Sequence, residues 1–260
     1  MRLPWTLQHW LKYRRSLTWD SLVRLRNALI AERRGALTFQ DSLALKLKAP
    51  FSTRIRMRPA SNDIYTFDEI ILDCVYDSVL KAMPTANTIL DLGANIGLSS
   101  LFFLSYYPGS CVVAVEPDAA NFALLNENLR PMIANKRATT ICAAAWARDE
   151  QVRFVPPVEP GHVNQGAVAV DSDRGTTVTG MTIPTLMTSV GDKPIDILKI
   201  DIEGGERELY RGDTAWLQRV NCIAIEFHGE SRRESDFDAV MTANGFTCTD
   251  HGHTVLAVRR

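Results

Sequence analysis

The 260-residue sequence predicts an α/β fold on a parallel sheet, and three observations carry that expectation. Short apolar runs alternate with amphipathic stretches of helix length through most of the chain, the pattern of repeated strand–helix–strand units. One such run, Thr88–Leu92, ends in a Gly-Ala-Asn-Ile-Gly turn that opens into a helix. The next, Cys111–Val115, ends in an acid, Glu116.

The elements follow in order. Residues 1–60 hold thirteen Lys and Arg against three Asp and Glu, a balance of +10, and the remaining residues carry −11. This segment, 1–60, reads as a basic helical arm ahead of a main domain at 61–260. Trp5, Trp10, Leu11, Leu17, Trp19, Leu22, Leu25 and Leu29 recur mostly at three- and four-residue steps, which predicts two short amphipathic helices before Gly35. Two readings of the arm stay open. Its apolar stripe packs on the main domain, or Arg14, Arg15, Arg24, Arg26, Arg33 and Arg34 meet an anionic surface such as membrane headgroups, a charged glycan or nucleic acid.

Beyond the arm, a helix is expected over Ile70–Leu80, a first strand at Thr88–Leu92, a helix at Leu98–Ser105, a second strand at Cys111–Glu116 and a helix over Ala119–Leu129 that Asp118 would cap. Thr139–Ala144 reads as the third strand. From Gln151 to Met187 the pattern loosens into short β-like runs, Val152–Val155, Gly166–Val170 and Thr176–Ile183, separated by Pro156, Pro157, Pro160, Gly161 and Asp171–Gly175. An inserted β-ribbon with loops near an acceptor site fits them. Ile195–Ile200 and Cys222–Phe227 are the fourth and fifth strands, and Gly245–Thr249 with Thr254–Val258 form a terminal hairpin.

Composition bounds the class. With 46% hydrophobic residues and a net charge of −1, the chain can bury a large core. No apolar run approaches the ~18 residues of a membrane span, and no leader-like block opens the chain. Five widely spaced cysteines without a C-x-x-C pair suit buried thiols in a reducing cytoplasm better than a disulfide frame or a zinc site.

The turn and its acid carry the chemistry. Gly93 and Gly97 let the chain bend sharply and the next helix dock closely. Glu116 lies at the distance from Gly93 where an acid grips a ribose diol, so a nucleoside is expected. A pyrophosphate would need G-x-G-x-x-G, but Asn95 occupies the middle position. Asp91 further favours a ligand with a cationic group, and S-adenosylmethionine is preferred to a nicotinamide.

Five blocks in order then resemble the FkbM-type methyltransferases: NDIYTFDEI (Asn62–Ile70), DLGANIG, VEPDAANFALLNENL (Val115–Leu129), ILKIDIEGGE (Ile197–Glu206) and IEFHG (Ile225–Gly229). EGGE stands where the family usually has EGAE, and ICAAAWARDE around the third strand is a loose match. The resemblance implies a doubly wound, seven-stranded, Rossmann-like methyltransferase sheet, mostly parallel with its last strand antiparallel. It also implies O-methyl transfer from S-adenosylmethionine to a hydroxyl of a sugar, glycan precursor or secondary metabolite.

On this reading Asp91, Gly93, Asn95, Gly97 and Glu116 hold the cofactor, and Ala144 lies near the adenine by position. Asp201, at the end of the fourth strand, and Glu203 anchor the methionine end or the acceptor. His228 is the candidate base, with Glu226 orienting it or closing the pocket. Glu206 and Glu208 are read as acids attracted to a helix N-terminus. No metal is assigned; Mg²⁺ on Asp201, Glu203 and Glu226 is the alternative not favoured. Two other classes remain. A nucleic-acid methyltransferase is prompted by the basic arm but lacks an N-P-P-Y-like tetrapeptide after the fourth strand, and a non-catalytic S-adenosylmethionine-binding adaptor is opposed by the intact acids. A cytoplasmic enzyme is the expected setting, with peripheral contact at the membrane through residues 1–60 as the further option.

Overall fold

The computed structural model describes residues 7–38, 40–155, 167–169 and 174–260. The chain opens with α1 (Leu7–Tyr13), α2 (Trp19–Arg33) and a hairpin of β1 (Leu43–Lys46) and β2 (Arg54–Met57). There follow α3 (Asp63–Phe67), a π-helical turn at Asp68–Leu72, α4 (Asp77–Ala82), β3 (Thr88–Leu92), α5 (Leu98–Tyr106), β4 (Cys111–Val115), α6 (Ala119–Asn128), α7 (Arg130–Ala134) and β5 (Ala138–Ile141). An insertion supplies β6 (Ala144–Ala145), β7 (Glu150–Val155), β8 (Ala167–Ala169) and β9 (Thr176–Met181). The chain then runs through α8 (Ile183–Met187), β10 (Ile195–Ile200), α9 (Glu206–Leu209), β11 (Val220–Glu226), α10 (Ser231–Glu234), α11 (Phe237–Ala243), β12 (Phe246–His251) and β13 (Thr254–Arg259).

Seven strands form the central sheet in the order β12-β13-β11-β10-β3-β4-β5. β13 alone runs antiparallel to both its neighbours, and the pairs from β11 to β5 are parallel. This is the α/β, doubly wound, mostly parallel sheet that the sequence predicts. All five residues of β3 are buried, as a strand covered on both faces requires. Two apolar cores cover the two faces. One joins Ile89, Phe102 and Leu125 to Leu22, Leu25 and Leu29 of α2, and the other gathers Leu90, Leu198, Ile223 and Phe237. The inner stripe of α2 is therefore part of the main core, which is the packing reading of the basic segment.

Several expectations change. The helix expected over Ile70–Leu80 is broken into the π turn and α4, with Cys74 at φ +53 between them. The third strand ends at Ile141, and Ala144 begins a separate four-stranded sheet, β6-β9-β7-β8. Thr176–Ile183 is a strand only to Met181, because Thr182 caps α8 by accepting the Thr185 N–H. Among the cysteines Cys222 is buried, whereas Cys111 and Cys142 are exposed. Of the Gly166–Val170 run, Ala167–Ala169 are described, and Trp5, Pro156, Pro157, Pro160, Gly161 and Asp171 lie outside the described residues. No helix among the described residues is long and apolar enough to cross a membrane.

Candidate active site

The sheet reverses its winding between β3 and β10, and their carboxyl ends open on a cavity of about 210 Å³. Ligands of open α/β sheets bind at that switch point. The cavity wall takes Gly93, Ala94 and Asn95 from the turn after β3, Glu116 from the end of β4, Ala144 and Ala145 from the insertion, Asp201 and Glu203 after β10, and Glu226 and His228 at the end of β11. Sequence reading separates these residues widely; the parallel register brings them to one edge.

The turn is built against anion binding. The N–H groups of Gly93 and Ala94 both donate to Val115 O, at 3.0 and 2.9 Å, and the Asn95 N–H donates to Glu116 Oε2 at 2.9 Å. These three amides are spent inside the protein and offer no phosphate cradle. Gly93 has φ +73, and a Cβ there would lie 1.7 Å from Asp201 O, so only glycine lets the tips of β3 and β10 meet. Asn95, at φ +50, keeps a buried Oδ1 without a hydrogen-bond partner.

Glu116 is 5% exposed and accepts N–H bonds from Asn95 and, through Oε1, Asp118 at 3.0 Å. Burial pushes its pKa up to about 7 against those bonds. Asp118 caps α6, accepting from Ala120 and Asn121 N–H.

Two expected ligand contacts lie behind the wall. Asp91 is fully buried and does not line the cavity; its Oδ2 accepts the hydroxyls of Ser99 and Ser100, both at 2.6 Å, and its Oδ1 faces Lys199 Nζ at 3.2 Å. Asp91 and Lys199 are register partners on neighbouring strands, so the charge expected to meet a ligand cation is already engaged by this ammonium. Lys199 donates to Gly93 O at 2.6 Å and Leu92 O at 3.3 Å. Burial alone would depress its pKa, but Asp91 beside it holds the ammonium well above the ordinary lysine range. Gly97, at φ +89, also leaves the wall: a Cβ there would meet Leu125 Cδ1 at 2.8 Å, so its role is the close approach of α5 to α6.

The other end of the cavity is acidic. Glu69, Asp201, Glu203 and Glu226 line it with His228 and His253. Burial and then the Asp201 charge raise Glu69, Glu203 and Glu226, the last to about 7. His228 Nδ1 lies 2.8 Å from Glu206 Oε1, and its Nε2 lies 3.3 Å from Glu203 Oε2. The hydrogen bond to Glu206 is the largest cause that raises His228 to about 9, with burial opposing and Glu203 adding. Burial would raise Glu206, yet the His228 bond and the Gly204 N–H at 2.9 Å outweigh it and leave the carboxyl below its usual range.

Glu206 is thus the partner that sequence reading missed in favour of Glu226, since an acid at a helix start has a sufficient local reason to be there. It does open α9, and it also reaches His228 just past the end of β11. Glu69 arrives on the π turn, and His253 on the β12–β13 hairpin; the NDIYTFDEI block was a signal for the first, and no local spacing signals the second.

Comparison with known proteins assigns a family to these residues. The Methyltransferase FkbM domain family matches residues 91–249. The chain is 26% identical over 215 residues to Methyltransferase sdnD of Sordaria araneosa, covering 71% of this chain and 82% of that protein. It is also 26% identical over 231 residues to 31-O-demethyl-FK506 methyltransferase FkbM of Streptomyces tacrolimicus, covering 77% and 88%. Among solved structures, precorrin-6y C5,15-methyltransferase from Geobacter metallireducens GS-15 aligns with a TM-score of 0.44 at 13% identity, over 73% of this chain and 89% of that one. With the family match spanning more than half of its length, this chain belongs to the FkbM methyltransferase family.

Proposed function

We propose that this methyltransferase uses S-adenosylmethionine to methylate a hydroxyl group of a sugar, glycan precursor or secondary metabolite. One observation carries the reading: a buried strand-end carboxylate, Glu116, and a carboxylate-held imidazole, His228, line opposite parts of one cavity across the switch point. The residues suit the donor. Glu116 offers a charged acceptor to a ribose diol, the orphaned Asn95 Oδ1 offers a second acceptor, and the spent turn amides disfavour a phosphate. Ala144 and Ala145 leave a small-residue wall for a flat base.

When bound, S-adenosylmethionine supplies a methyl group already activated on a sulfonium. The protein then has to align the acceptor oxygen, exclude water and take a proton. Asp201 and Glu203 present carboxylates to the donor's cationic groups or to the acceptor. His228 takes the proton at Nε2, because Glu206 occupies Nδ1. Glu203 has to release Nε2 as the acceptor enters.

Asp201, Glu203 and His228 also favour a second reading. Each offers a ligand atom, and all three atoms lie within 4.8 Å of one another. A divalent cation held there, with His228 in the place the sequence reading gave to Glu226, would lower the hydroxyl pKa in place of a base.

Calorimetry with S-adenosylmethionine, followed by mass analysis of a panel of alcohols incubated with the donor, tests the proposal. The expected result is donor binding and an O-linked methyl product; transfer only to nitrogen or carbon would overturn the acceptor class. Turnover that persists after exhaustive chelation supports the base, and loss of turnover restored by added Mn²⁺ or Mg²⁺ supports the cation.

A further inference from the structure

The positive charge of residues 1–60 leaves a question that the packing of α2 does not answer. Leu22, Leu25 and Leu29 use one side of the helix for the core. At 3.6 residues per turn, Trp19, Val23, Arg26 and Ile30 fall together about 100° round the helix from that side, along its flank. The polar face, with Asp20, Arg24 and Asn27, lies beyond this flank, which is apolar apart from Arg26. Trp19 is 72% exposed, and Val23 and Ile30 are only half-buried.

The patch continues onto α1. The rings of Trp10 and Trp19 lie 5.6 Å apart, and Leu11, next to Trp10 in the chain, is 44% exposed. Arg15, Arg26 and Arg34 stand exposed around this apolar strip. Few acids answer them: of the three in residues 1–60, Asp20 lies 3.9 Å from Arg24 and Asp41 accepts the Thr38 N–H and hydroxyl.

Large apolar side chains interleaved with guanidinium groups along a helix flank match the headgroup boundary of an anionic bilayer. Indole rings are favoured at that boundary, where one end is apolar and the other wet, and arginines meet lipid phosphates. A nucleic acid would use the arginines but give Leu11, Val23 and Ile30 nothing to bury in. We propose that the flank of α2 marked by Trp19, Val23 and Ile30, with Trp10 and Leu11 of α1, is a docking surface for an anionic phospholipid membrane.

Docking there would also orient the cavity. Tyr13 stacks on Phe67, with ring centroids 6.1 Å apart, and Lys12 lies 2.9 Å from Asp73. These contacts brace α1 on both sides of the π turn that carries Glu69 to the cavity wall.

Co-sedimentation of the full chain with phosphatidylcholine vesicles, with and without phosphatidylglycerol, tests the surface independently of methyl transfer. The expected result is binding only to the phosphatidylglycerol vesicles and release by salt. Trp19→Ala and the double variant R26Q/R34Q are each expected to weaken partitioning by roughly tenfold, with unchanged thermal midpoints. Failure of the wild-type chain to bind anionic vesicles overturns the proposal, as does undiminished binding by both variants. Binding to duplex DNA without binding to vesicles overturns it in favour of a polyanion site.

Discussion

His228 Nδ1 lies 2.8 Å from Oε1 of Glu206, a carboxylate with no solvent exposure. The pair fixes the imidazole so that Nε2 faces the cavity, and it makes His228 a stronger base than a free histidine. With the group at about 9, kcat/KM is expected to climb with pH toward that value as His228 loses its proton. Glu206→Gln removes the largest cause of the upward shift. Its rising limb should move to lower pH, and its rate should fall by roughly ten- to a hundredfold. A profile whose midpoint is the same in wild type and E206Q would dissociate His228 from the proton transfer.

The same pair links pH to stability. Because the folded value is raised from 6.5 to about 9, the stabilising contribution of His228 is complete below 6.5 and is lost as pH rises through 9. Urea midpoints should therefore decline across that window in the wild type and decline less in E206Q. Partial exposure of His228 keeps the effect modest.

Glu116 gives a second pH signature, with two limbs of opposite sign. Its value is raised from 4.5 to about 7, so the free protein is more stable with the group protonated, and that contribution fades as pH rises through 7. Ribose binding asks for the charged carboxylate. Donor affinity should then weaken as pH falls below about 7 while the ligand-free protein gains stability, two trends of opposite sign from one group. Glu116→Ala should cut donor affinity by roughly ten- to a hundredfold, the value of one or two bonds to a charged acceptor. Calorimetry across this pH range measures both.

These pairs show where sequence reading succeeds and where it stops. Strands β3, β4, β10 and β11 were legible because each is a short apolar run closed by a glycine or an acid, and Asp118 was legible as a cap because capping is local. The fate of Asp91 was not. Strand alternation places its side chain on a face, but only the register that sets Lys199 beside it shows that its charge is already engaged. Glu206 was misjudged for the complementary reason: its local role at the start of α9 is real and hides the contact to His228 beyond β11. The expected helix over Ile70–Leu80 failed because good helix-forming composition does not reveal a π turn or the positive φ of Cys74.

The two glycines of the turn should differ in tolerance. A methyl at Gly93 would collide with the backbone carbonyl of Asp201, which cannot move without separating β3 from β10. Gly97→Ala meets the flexible end of Leu125, though at a φ that also strains alanine. Gly93→Ala is expected to cost about 4 kcal/mol or more, or to prevent folding, and Gly97→Ala about 1–3 kcal/mol. Denaturation midpoints that rank the two the other way would contradict the close approach of the strand tips.

The Lys199–Asp91 pair should behave as one buried unit. Lys199→Met leaves Asp91 charged and buried, with two serine hydroxyls but no cation, and is expected to cost about 3–5 kcal/mol. Asp91→Asn should cost less, because Lys199 keeps the carbonyls of Leu92 and Gly93 and has Asp201 at 3.7 Å. The double variant should cost less than the sum of the two, with a coupling of about 1–3 kcal/mol. It should not recover fully, since methionine cannot donate to Gly93 O, where Lys199 lies at 2.6 Å. Loss of that bond loosens the turn next to Asn95 and Glu116, so the double variant should also bind the donor more weakly while still folded. Additive costs in a double-mutant cycle, or undisturbed donor affinity in the folded double variant, would show that the pair holds neither the sheet nor the turn.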